Sequence, residues 1–262
     1  MIYFTGDTHR EIDVHKLNTS RWPEQKKLTK DDYLIILGDF GCVWDGECGD
    51  FYWQKWHDKK PYTTLFVPGN HENYDLLRQY PAEEWHGGIV RRIQPSVLML
   101  ERGYVFEIGG KTIFTMGGAQ SHDKEYRVMG ETMWADEMPN DGEYEVALGN
   151  LELCGNKVDL ILSHCAPCKI EDKIFSRSIA PQSDALTRFL QSVDDDTEYD
   201  LWLFGHYHID AMIDEKHICL YDCVASLDEI VARRDELIRA EQSSEQYQDT
   251  SKQYQMTIHM EE

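Results

Sequence analysis

Side chains able to bind metal ions recur along this chain in five short blocks: Gly6-Asp7-Thr8-His9, Gly38-Asp39, Gly69-Asn70-His71-Glu72, Ser163-His164 and Gly205-His206-Tyr207-His208. Asp7, His9, Asp39, Asn70, His164, His206 and His208 supply carboxylate, amide and imidazole donors, enough for a dinuclear centre. Imidazole nitrogen suits transition metals and carboxylate or amide oxygen suits harder ions. The mixed set therefore points to two divalent ions from among Mn, Fe, Zn and Ni, manganese first, over Ca. A glycine directly precedes Asp7, Asp39, Asn70 and His206, where the missing side chain permits tight turns and close approach. Asp7 and His9 are two residues apart, as are His206 and His208, so on an extended backbone each pair faces one way and can join one cluster. A lone Gly-Asp or Ser-His is usually a turn or a cap. Clustered histidines are much rarer, and five such blocks in series outweigh the reading of satisfied structural polar residues.

The elements that must carry these blocks are short apolar runs, at 2–5, 33–37, 63–67, 97–100, 104–108, 112–116, 158–162, 201–204 and 218–224. They are rich in β-branched and aromatic residues and bounded by Gly, Pro, Asn or Asp, as strands are. Tyr33-Leu34-Ile35-Ile36-Leu37 and Val158-Asp159-Leu160-Ile161-Leu162 are nearly continuous, the pattern of strands covered on both faces. Helical stretches are predicted at 10–17, 50–58, 73–79, 143–153 and 183–193, with Asn73 and Ser183 as N-caps. Strands alternating with helices, then closer-spaced strands at 97–116 with a hairpin turn at 110–111, predict an α/β sandwich of two sheets. Most blocks end or abut a strand, so the ligands are expected on loops at one sheet edge. The aperiodic segment 121–142 reads as an insertion over that edge. Residues 1–226 are expected to form one domain, followed by a surface helix at 227–241 and a polar, acidic tail at 242–262.

The chain has 262 residues, 41% of them hydrophobic, which is enough for a full core. Its 48 acidic against 26 basic residues give a net charge of −22, a field that repels nucleic-acid phosphates and anionic membranes. The N-terminus lacks a basic segment followed by an apolar one, and no run approaches the ~20 apolar residues of a membrane span. A soluble, cytoplasmic protein is expected. Seven scattered cysteines do not form a disulfide framework, and Cys165-Ala166-Pro167-Cys168 lacks the context of a redox motif.

In this order the blocks D-x-H, G-D, G-N-H-E, S-H and G-H-x-H resemble the calcineurin-like metallophosphoesterase superfamily, over residues 1 to about 224. The stretch Gly117 to Arg127 is similar to one in its bacterial and phage-borne members. The resemblance implies a four-layer α/β/β/α sandwich. It implies that Asp7, His9, Asp39 and His208 hold one metal and Asp39, Asn70, His164 and His206 the other, with Asp39 bridging. His71 matches the catalytic histidine that contacts the phosphate or protonates the leaving group. Many members continue the second block as G-D-x-x-D, with the last carboxylate supporting that histidine. Cys42 stands there in this chain, so support is expected from Asp45 or Glu72. The protein-phosphatase branch is disfavoured, because its G-D-x-H-G is Gly6-Asp7-Thr8-His9-Arg10 here.

The expected activity is hydrolysis of a phosphomonoester or phosphodiester in a small, nucleotide-like molecule, with a metal-bridging hydroxide as nucleophile. Two metals about 3.5–4 Å apart can acidify a water, align the phosphoryl group and neutralise its oxygens. Arg10, Arg127 and Asp123 are candidates for substrate contact. The alternatives are a nuclease, which the charge opposes, and a non-catalytic scaffold of the same fold, which predicts eroded ligands where none is eroded.

Overall fold

The computed structural model describes residues 1–121, 124–175 and 183–240. Asp123 and the tail at 242–262 lie outside them. Met1–Ala225 form one compact unit; in the second, Ser226–Glu262, residues 227–240 are helical.

In the first unit one sheet contains β1 (Ile2–Thr5), β2 (Tyr33–Ile36), β3 (Thr63–Phe66), β4 (Ala82–Trp85), β5 (Gly88–Gln94) and β6 (Val97–Leu100), ordered β1-β2-β3-β6-β5-β4. The pairs β1–β2, β2–β3 and β3–β6 are parallel, and the β6–β5–β4 edge is antiparallel. The other sheet contains β7 (Tyr104–Ile108), β8 (Lys111–Met116), β9 (Leu160–Ser163), β10 (Leu201–Phe204), β11 (Ala211–Met212) and β12 (His217–Cys219). Its order is β11-β12-β10-β9-β8-β7, parallel from β8 to β12.

Period-two alternation sorts the buried side chains into layers. Tyr3, Leu34, Ile36 and Phe66 pack on one side with Trp53 and Trp56 of α1 (Cys48–Asp58). Phe114, Met116, Ile161, Trp202 and Phe204 pack on the far side of the other sheet. There they meet Leu151 of α3 (Asp141–Leu153), Ile170 of α4 (Cys168–Ile174) and Leu186 and Leu190 of α5 (Ala185–Asp196), α2 being the short Tyr74–Leu77. The alternate residues Phe4, Ile35, Leu65, Ile113, Leu162 and Leu203 are fully or almost fully buried between the sheets. The sheets touch closely enough that a Cβ on Gly88 would lie 2.5 Å from the Phe106 ring. This is the four-layer α/β/β/α arrangement.

Several local expectations need correction. The β7–β8 hairpin turns at Gly109–Gly110, not 110–111, because a two-residue turn matching strand twist needs positive φ twice, here 58° and 77°. A second hairpin, β4–β5, went unpredicted. Ala82-Glu83-Glu84-Trp85 has no β-branched residue, yet His86 (φ 49°) and Gly87 (φ 92°) make the same kind of turn. Of 10–17, only Val14–Leu17 is helical, as a 3-10 turn. Asp184, not Ser183, caps α5, its carboxylate accepting from the Thr187 N–H at 2.8 Å. The strand predicted over 218–224 stops at Cys219, after which the Asp210 carboxylate gathers the N–H groups of Tyr221, Asp222 and Cys223. Among the described residues no helix is long and apolar enough to cross a membrane.

Candidate metal centre

Every block follows the carboxyl end of a parallel strand: β1 before Gly6, β2 before Gly38, β3 before Gly69, β9 at Ser163 and β10 before Gly205. Loops at that edge of an α/β sheet are where its ligands converge. Three groups result, Asp7–His9–His208, His9–Asp39–His71 and Asp39–His164–His206, each with its donor atoms within 4.8 Å of one another. Asp39 stands between the outer groups. Its Oδ2 lies 3.2 Å from His9 Nε2 and its Oδ1 3.2 Å from His164 Nε2. Asn70 Oδ1 joins on the same side, 3.2 Å from His164 Nε2.

The extended-backbone expectation fails for the paired histidines. His206 and His208 have φ of 68° and 52° and join different groups, while His9 and Asp39 are also left-handed at 39° and 49°. Each such turn in a non-glycine residue costs on the order of 1–3 kcal/mol and persists where the surroundings over-determine it. The preceding glycines allow the approach: a Cβ on Gly38 would sit 2.0 Å from His164 Nδ1, and one on Gly205 2.3 Å from Asp7 Oδ1.

Asp7, Asp39 and His164 are buried, and the electrostatics are those of donors facing one another. Burial by itself raises the Asp7 carboxyl, but the facing His208 and the His164 charge bring it below the ordinary value. Asp39 likewise lies well below, burial being outweighed by His164 and His9. Burial lowers both imidazoles, yet the carboxylates lift His9 to about 9 and His164 to about 10. One oxygen stands out: among the described residues buried Asp7 Oδ2 has no hydrogen-bond partner, and it faces His208 Nε2 at 3.1 Å. An orphaned carboxylate oxygen among imidazole nitrogens fits a divalent cation better than it fits a closed hydrogen-bond network. Tautomers fit as well. His164 Nδ1 donates to the Leu37 carbonyl at 2.8 Å, so Nε2 is the nitrogen turned inward and the one that could bind an ion on losing its proton, and His9 Nδ1 faces Asp13 Oδ2 at 2.7 Å.

His71 sits at the cluster, its backbone N–H donating to Asp39 Oδ1 at 2.8 Å and its ring stacked on Trp44. Arg127 of the predicted insertion donates from Nη2 to His71 Nε2 at 2.8 Å. A guanidinium only donates, so this nitrogen accepts and the imidazole is neutral. Burial and then Arg127 accordingly lower its pKa, against the pull of Asp39. Neither expected support reaches His71. Asp45 holds Arg10 and the Glu47 N–H, and Glu72 accepts from the N–H groups of Gly69, Phe40 and Gly41, lacing two ligand loops together. Arg10 is not placed for a phosphate either, its guanidinium being held by Glu11, Asp45 and Asp50. Ser163 is structural, accepting from Trp202 Nε1 and donating to the Cys165 carbonyl.

Sequence reasoning missed the supporting residues. Asp13 had one signal, its place four residues after His9. Tyr221, stacked on His208 at 4.6 Å and donating to Asp13 Oδ1 at 3.0 Å, had none. Nor had Lys16, which is buried and donates to the Asp7 carbonyl at 2.7 Å.

With this geometry in place, comparison with known proteins is decisive at the family level. A family model for calcineurin-like phosphoesterases matches residues 1–210. The chain belongs to that family. Among curated relatives, this calcineurin-like phosphoesterase is 26% identical over 214 residues to the lariat debranching enzyme of Schizosaccharomyces pombe, covering 71% of this chain and 44% of that one. It is 25% identical to the lariat debranching enzyme of Caenorhabditis briggsae, over 65% of this chain and 37% of that one. It is 23% identical to lariat debranching enzyme A of Xenopus laevis, over 78% and 42%. The chain thus spans less than half the length of the relatives it matches.

Proposed function

We propose that this phosphoesterase hydrolyses phosphomonoesters or phosphodiesters of small, nucleotide-like molecules in the cytoplasm, using two divalent transition metals, manganese first. Asp7, His9, Asp39 and His208 would hold one ion, and Asp39, Asn70, His164 and His206 the other. The observation that carries the reading is Asp39 reaching His9 with one oxygen and His164 with the other, beside the orphaned Asp7 Oδ2. Bound there, such ions supply an acidified water and neutralise phosphoryl oxygens.

The protein's own groups do the rest. Asp39 fixes the spacing of the two halves. Arg127 brings the fixed positive charge that a phosphoryl group needs, in a chain otherwise strongly acidic. His71 is the catalytic residue of this reading. Kept neutral by burial and by Arg127, and with Nε2 accepting, it has Nδ1–H to offer and acts as a hydrogen-bond donor to the phosphoryl or leaving oxygen, not as a strong acid. Replacing Asp39 or His206 by Ala should abolish metal-stimulated hydrolysis of an aryl phosphate while circular dichroism stays native. Undiminished activity in either variant would sink the reading.

A nuclease remains the second reading. Tyr126, Val128 and Met129, exposed beside Arg127, favour it, as surfaces on which unstacked bases could lie. Cleavage of a short single strand at physiological salt, faster than hydrolysis of mononucleotides and dinucleotides, would replace the first reading with this one.

A further inference from the structure

We infer that Ser121 and Glu137 are positioning residues that lock the Asn70 side chain with its oxygen turned toward the metal centre. The inference rests on the reading of Asn70 as a ligand. An amide presents an acceptor and a donor of nearly the same shape, and only the oxygen can bind a cation. Something must therefore choose between two orientations related by a half turn.

A chain of buried hydrogen bonds makes the choice. Glu137, when ionised, only accepts, and its Oε2 takes the Ser121 hydroxyl proton at 2.7 Å. The Ser121 oxygen then has lone pairs alone to offer. Asn70 Nδ2 donates to it at 3.2 Å, and Oδ1 is left facing inward, 3.2 Å from His164 Nε2. Asn70, Ser121 and Glu137 are 3%, 2% and 3% exposed, so water does not compete for these groups.

Glu137 is itself fixed. Its Oε1 accepts the Trp134 N–H at 3.1 Å. Buried Arg102 donates to the carbonyls of Asp136 at 2.7 Å and Glu137 at 3.2 Å. The same guanidinium group bonds the Tyr74 hydroxyl, which donates to the Gly69 carbonyl at 2.6 Å. The 134–137 turn is therefore tied to the Gly69-Asn70 loop through both its backbone and its side chain. The segment expected to select substrate also serves, at its base, one specific metal ligand.

The test is calorimetric titration of MnCl2 into the metal-free full chain, comparing wild type with Ser121→Ala, Ser121→Thr and Glu137→Gln. Wild type should take about two ions. Ser121→Ala should weaken one of them by roughly 10- to 100-fold, the usual effect of removing a group that orients a ligand, and leave the other unchanged. Asp7→Ala should weaken the opposite ion, which identifies the two. Ser121→Thr keeps the hydroxyl and should restore wild-type binding. Glu137→Gln, whose amide can donate to Ser121 and so permit the flipped Asn70, should fall between. A wild type that binds two ions, with Ser121→Ala and Glu137→Gln binding both as tightly, overturns the inference alone. A wild type that binds none overturns the metal reading beneath it.

Discussion

Substituting Gly38 by Ala should dismantle half of the metal centre from a position that carries no ligand. Gly38 has φ 98°, and an added Cβ would lie 2.0 Å from His164 Nδ1 and 2.3 Å from its Cγ. Ordinary contact begins near 3.4 Å, so the ring must retreat by about 1.4 Å. Metal–ligand distances tolerate only about 0.2 Å. The retreat also breaks the Nδ1–H bond to the Leu37 carbonyl that keeps Nε2 inward. On stability, left-handed strain of about 1–2 kcal/mol adds to overpacking of about 1–3 kcal/mol. The metal-free variant should therefore lose about 2–5 kcal/mol in urea denaturation. Gly110→Ala is the matched control, because its φ is 77° with nothing within 4 Å of a Cβ. It should show the strain alone and bind Mn normally. Calorimetry should find Gly38→Ala deficient in one ion, the one that Asp7→Ala leaves intact. Normal binding of both ions, with stability equal to Gly110→Ala, would refute the packing of His164 against Gly38.

Three further outcomes are expected. Arg127→Ala should raise KM for an aryl phosphate roughly 10- to 100-fold by removing a charge-assisted contact. Because Arg127 depresses His71, an NMR titration should also show the His71 pKa rising; no change in either quantity would detach Arg127 from the site. Metal binding should be proton-coupled. The carboxylates hold His9 near 9 and His164 near 10 without metal, so Mn affinity should climb as pH rises toward those values. Calorimetry in buffers of different ionisation enthalpy should detect proton release at neutral pH, and its absence would contradict the assigned ligands. Lastly, burial lowers His217, but Asp194 and Asp214 on either side raise it above the ordinary value. A raised folded pKa gives stability that is complete below the unfolded value and lost as pH rises through the folded one. Urea denaturation from pH 6 to 9 should show that decline in wild type and a flatter profile in His217→Gln; identical profiles would mean that the ring stays neutral throughout.

The layered fold and the converging loops were legible because they follow from local rules. Val, Ile, Leu and Phe in short runs mark strands, and Gly-Asp or Gly-His at their ends marks where ligands leave the sheet. What escaped depended on tertiary context. Ala82–Trp85 pairs as a strand because β5 offers it an edge, not by propensity. His206 and His208 diverge because both adopt left-handed turns that residue spacing does not encode. Lys16, Asp13 and Tyr221 are single residues made supportive by partners distant in sequence; Lys16 bonds Tyr221 across 205 positions. Arg10 misled for the same reason, since three carboxylates hold a cation that looked available.

The central claim is that these donors make a metal-dependent phosphoesterase. It is tested most directly by stripping the chain of metal and following aryl phosphate hydrolysis as MnCl2 is added. Activity should be negligible at the start and saturate near two equivalents, with Asp39→Ala flat throughout. Hydrolysis that is undiminished in the stripped chain, or that survives in Asp39→Ala, would contradict the account.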